Sequence, residues 1–157
     1  MTDSRHQRPA GTSDATVEAV GKVSEALEWV ERARGRLYDF HQLMGRADLL
    51  LGEAADALEE AGHPDHADRL RDRMVGRNVL DGRWTFQIVE EFDDLYWSAA
   101  REAERAVRDD LMAGRRHVFE SEMKDDRRTE GRAHHERRPA AAHDPDVTTL
   151  DYDGASG

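Results

Sequence analysis

The sequence predicts an all-α protein: two long antiparallel helices with a short third helix, flanked by disordered termini. Three observations predict it. Ala, Glu, Asp, Arg and Leu dominate residues 14–124. The apolar residues there recur at i, i+3, i+4, i+7 rather than in alternation. The same range holds a single proline, Pro64, so little interrupts helical backbone.

Residues 1–12, "MTDSRHQRPAGT", are polar with Pro and Gly and are expected to lack order. The helical domain is expected over 13–126, and a disordered charged tail over 127–157. Ser13 or Asp14 is a suitable N-cap for the first helix. Val20, Val23, Leu27, Val30, Leu37, His41 and Met44 then form a stripe that stays in phase through Leu51, Ala55 and Leu58. Gly45 lacks a supporting Pro or Asn, so one helix is expected to run to about Ala61. Gly35, Gly45 and Gly52 each cost about 1 kcal/mol relative to Ala, and close helix packing at Gly45 and Gly52 would offset that.

The segment "AGHPDHADRL" is a stop followed by a start. Gly62 suits the position after a helix, Pro64 the first turn of the next, and Asp65 its positive end. A short helix is expected over 65–75, with "GRNVLDGR" a loop. The final helix is expected to run from Trp84 to 124, with Ile88, Phe92, Leu95, Ala99, Ala103, Ala106 and Val107 facing inward. Antiparallel pairing of the two long helices would then set His41 opposite about Arg105, and Asp48 opposite about Ser98.

Composition removes several classes of function. The chain has no cysteine, which excludes disulfides, thiolate nucleophiles and thiolate metal sites. The N-terminus has no apolar signal segment and "LLLG" is too short for a bilayer, so a cytoplasmic protein without a membrane span is expected. The net charge is −11, a field that opposes nucleic-acid phosphates. Lys occurs only at Lys22 and Lys124. That Arg bias fits a GC-rich genome, and the acid excess fits a salt-adapted proteome. The tail run "RRTEGRAHHERR" mixes both signs and reads as solvated. No G-x-S-x-G, phosphate-binding glycine loop or dinucleotide fingerprint is present.

The stretch "DGRWTFQIVEEFDDLYWSAA" concentrates Trp84, Phe86, Phe92, Tyr96 and Trp97 among carboxylates. On a helical wheel Phe86 and Trp97 fall opposite the Ile88–Phe92–Leu95 stripe, and Trp29 lies off the stripe of the first helix. A hairpin buries one face per helix, so Trp29, Phe86 and Trp97 are expected to meet either the short helix or a partner. The resulting expectation is a non-enzymatic interaction or assembly protein, with a protein partner or self-association and no cofactor. The alternative is a divalent metal ion held by His41, Asp48, Asp110 and His117, which interrupt the apolar stripes in seven-residue pairs.

Overall fold

The computed structural model describes residues 5–137 and 139. Expectations for residues 1–4, 138 and 140–157 lie outside them. Among the described residues five α-helices and one π-helical turn occur, with no β-strand. They are α1 (Asp14–Glu60), α2 (Pro64–Arg73), α3 (Thr85–Phe92), the π turn (Asp93–Trp97), α4 (Ser98–Met112) and α5 (Val118–Arg127). A lone bridge pairs Leu80 with Arg83. Among the described residues no helix is long and apolar enough to cross a membrane.

The chain divides into two compact units, Met1–Ala26 with Glu102–Gly157, and Leu27–Arg101. In the terminal unit the Ser13 hydroxyl accepts the Thr16 amide N–H at 3.2 Å, which makes Ser13 the N-cap of α1. Val17, Val20, Met112 and Val118 form the core, with Val107 against it. Beside them Arg108 is 8% exposed. Its Nε donates to Glu104 at 3.0 Å and its Nη1 to the Gly114 carbonyl at 2.7 Å. Ser24 also donates to Glu104, at 3.2 Å. A buried cation is tolerated only when its donors are taken up in this way.

The expected single helix from Trp84 to 124 is corrected here. It ends at Met112, and α5 starts afresh at Val118. Ala113, Gly114 and His117 all adopt positive φ, at 51°, 74° and 57°. The Gly114 amide closes onto the Arg108 carbonyl at 3.1 Å, a helix end one residue wider than a Schellman closure. Burial of Val118 with Met112 offsets the strain at Ala113 and His117. Gly114 was the readable stop signal.

Residues 5–12, set apart by composition as disordered, carry specific contacts. Arg8 is bidentate to Glu122, with both bonds at 2.7 Å, and reaches Asp14 at 2.6 Å. Arg115 donates to the Gln7 carbonyl at 2.9 Å.

In the middle unit, Ala55, Ala67 and Val89 are the buried apolar residues. Pro64 opens α2 in its first turn, after Gly62 at φ 82°. Arg71 ties α2 to α1 through Asp56 and Glu59, at 2.8 and 2.6 Å. Gln87 accepts the Trp84 amide at 3.0 Å and so caps α3. The three pairs Glu31–Trp97, Arg34–Asp93 and His41–Thr85 link α1 to the α3 segment and run in opposite chain order. His41 therefore stands opposite Thr85 and not Arg105. A Cβ added at Gly35, Gly45 or Gly52 would meet nothing within 4 Å, so no close packing within the chain offsets those glycines.

Candidate functional site

The inner face of the α3 segment is not the one its hydropathy indicates. Leu95 is 69% and Tyr96 63% exposed, whereas Val89 is buried. Asp93 and Trp97 point at α1 instead. Asp93 and Trp97 are four residues apart, a spacing that keeps two side chains on one side of a helix, and the π turn that joins them preserves it. What they meet is polar. Arg34 donates to both Asp93 oxygens, at 2.7 and 2.9 Å, and its guanidinium lies 4.1 Å from the Trp97 ring centroid and 5.0 Å from that of Tyr38. Arg101 stacks on Trp97 at 4.6 Å. The Arg34 contact, with Tyr38 assisting, holds the Asp93 carboxyl below its ordinary value. A fork-shaped guanidinium gripping one carboxylate and stacking on an aromatic ring is geometry that lysine cannot supply.

Because the hairpin interior is polar, much of its apolar surface is left outside. On α1, Trp29 is 60%, Leu43 66% and Leu49 61% exposed, and Phe40 and Leu50 are also exposed. Along the α3 segment Trp84 and Phe86 are exposed with their rings 5.1 Å apart. Phe92 and Tyr96 stack at 5.9 Å. Ile88, Phe92, Leu95 and Ala99 form a stripe about 100° round the helix from Val89 and Asp93. On α1, Phe40 and Trp29 stand about 100–140° round from Arg34 and His41, and Leu43 and Leu50 about 160–180°, at the back of the helix. Since the two helices run in opposite directions, both rows are displaced toward the same side of the hairpin, and the open apolar face continues from there round the back of α1.

The three aromatic residues singled out from sequence therefore differ. Trp97 packs against α1 and donates its indole N–H to Glu31 at 2.9 Å. Trp29 and Phe86 are exposed, with Arg32 covering the Trp29 ring at 4.5 Å. Phe40, Leu43, Leu50 and Leu95 belong to the open face and were missed. On α1 the readable signal was a second stripe, one residue ahead of the stripe through His41.

Of the four residues considered as metal ligands, His41 Nδ1 meets the Thr85 hydroxyl at 2.7 Å and Asp48 accepts the Gly76 amide at 2.7 Å. Asp110 and His117 lie in the terminal unit, exposed, with His117 4.0 Å from Glu120. Among the described residues, no three His, Asp or Glu side chains converge as a metal site would need. A cleft of about 550 Å³ in the terminal unit is lined by Arg8, His117, Glu122, Asp125 and Arg137, among others. Four of its charges pair with one another: Glu122 with Arg8, and Asp125 with Arg137. Arg128 first, and then Arg137, keep the Asp125 carboxyl below its usual range.

Comparison with protein-family models, with curated proteins and with solved structures gave no match.

Proposed function

We propose that this chain is a non-enzymatic helical interaction protein, acting in the cytoplasm, that docks a protein partner on the open face of its middle unit. The scaffold we infer is two long antiparallel helices, with α2 as the short third. One observation carries the reading: large apolar residues, Leu43 and Leu95 foremost, stand about two-thirds exposed outside a hairpin contact that is held by Arg34, Asp93 and Trp97. Contiguous exposed apolar surface of this kind marks a place where another molecule binds, and aromatic anchors supply most of the affinity at such surfaces.

The test is a double substitution, Leu43→Gln with Leu95→Gln. On a docking face these side chains do not hold up the monomer. At high dilution the variant should keep wild-type helix content and a stability within about 0.5 kcal/mol of wild type, as surface changes do. A clear loss of melting temperature at that dilution would show that the face supports the fold itself, and the docking reading would fall.

A further inference from the structure

We infer that the partner on this face is a second copy of the chain, laid antiparallel along α1 with Phe40 and Leu43 at the two-fold axis; the inference rests on the docking reading above. On α1, Trp29, Ala33, Phe40, Leu43, Ala47 and Leu50 follow one another at alternating steps of four and three, with Arg36 filling the missing place. That is the heptad seam of a coiled coil. The row of Leu37, Met44 and Leu51 separates it from that of Arg34, His41 and Asp48, which the hairpin itself uses.

Charge decides the occupant and its direction. Arg32, Asp39, Arg46 and Glu53 flank this seam at seven-residue intervals on the side away from α3, and all four are exposed. Their signs alternate. An antiparallel second copy, with Phe40 of one chain against Leu43 of the other, sets Arg32 opposite Glu53 and Asp39 opposite Arg46. Each pair forms twice by symmetry. Helical side chains lean toward their own N-terminus, and in this register the lean brings each of these partners together. A parallel copy gains none of this. It would place the four charges beside the apolar flank of Leu37, Met44 and Leu51, and stack Arg36 on its own symmetry mate in the seam. The antiparallel copy faces Arg36 with the small Ala47, leaving it with Asp39, which it already contacts at 3.1 Å. Exposed ion pairs add little affinity individually. Here the apolar seam holds the copies together and the charges select orientation and register.

The absence of cysteine makes the register directly testable. Sedimentation of the full wild-type chain should show a dimer. Asp39→Arg and Arg46→Asp should each raise the dissociation constant about tenfold or more, because each puts like charges face to face twice. An equimolar mixture of the two variants should recover dimer as a heterodimer, since the two chains then meet with opposite charges at both pairs. In separate variants, Ala33→Cys mixed with Leu50→Cys should cross-link on mild oxidation. Ala33→Cys alone should not, as two copies of residue 33 stand about 25 Å apart at about 1.5 Å per residue. Cross-linking of Ala33→Cys alone, or wild-type dimerisation by both charge variants, would overturn the antiparallel register. A wild-type chain that stays monomeric at every concentration would overturn self-association. If the Leu43→Gln, Leu95→Gln variant still melts like wild type in that case, the docking reading survives with a different partner.

Discussion

Trp97 donates its indole N–H to Glu31 at 2.9 Å while the Arg34 guanidinium lies 4.1 Å from its ring centroid. Sequence periodicity sets Trp97 on the outer side of its helix. The structure makes it part of the contact with α1.

Trp97→Ala should therefore lower the stability of the monomer. Large aromatic truncations in packed positions cost about 3–5 kcal/mol. Trp97 is only half-buried, so a value near the lower end is expected. Trp29→Ala, at a 60% exposed position, should leave dilute-solution melting unchanged. Thermal melts of both variants at one low concentration check the contrast. Equal effects would show that the two tryptophans are packed alike.

The Arg34–Asp93 pair makes a pH prediction. The carboxyl of Asp93 is held below its ordinary value of 3.8, chiefly by its hydrogen bonds from Arg34. A lowered folded pKa adds stability that is fully present above the unfolded value and disappears as pH falls through the folded one. Wild type should lose this contribution below about pH 4, in the range where unfolded aspartates titrate. Asp93→Asn should be less stable at neutral pH by about 2–3 kcal/mol, and its stability should fall less steeply on acidification. Urea melts from about pH 7 down to about pH 2, spanning the carboxylate range, would show it; parallel curves for the two proteins would dismiss the pair as a stabilising contact.

Two glycines of α1 should respond with opposite signs. A Cβ at Gly21 would sit 3.0 Å from Phe119 Cβ and Cγ, so Gly21→Ala must displace α5 or the ring. Overpacking of this kind costs about 1–3 kcal/mol. A Cβ at Gly45 meets nothing within 4 Å, so Gly45→Ala should stabilise by about 1 kcal/mol through helix propensity alone. Melting temperatures moving in the same direction for both would contradict these surroundings.

His41 bears on the metal alternative. Its Nδ1 is engaged by the Thr85 hydroxyl at 2.7 Å, a contact that ties α1 to the first turn of α3. His41→Ala should destabilise by about 1 kcal/mol, the usual net worth of such a bond, and equally with and without added zinc. A stabilising effect of zinc on wild type that vanishes in His41→Ala would instead make His41 a ligand.

Local chemistry made the helical class and several boundaries readable. Ser13 before an apolar-periodic run, Gly62 followed by Pro64, and the loop around Gly76 and Gly82 act over a few residues, and neighbours in sequence are enough to express them. The expected start of the last helix differs by one residue from α3 at Thr85. Gly114 carried the same kind of local stop signal, but the stripe reading ran through it.

Which face of the α3 segment turns inward was decided only in the tertiary structure. Periodicity detects apolar residues, and α1 and the α3 segment each carry two rows that satisfy it. The row that faces the other helix contains Arg34, His41, Asp93 and Trp97, all half-buried, whose partners lie 44 to 66 residues away in sequence. Those partners neutralise charge and satisfy hydrogen bonds only once the two helices lie side by side. A hydropathy stripe took in His41 but scores Arg34 and Asp93 as surface, because it counts the cost of burying a polar group without the contact that offsets it. The exposed side chains of Leu43 and Leu95 are what those contacts leave outside.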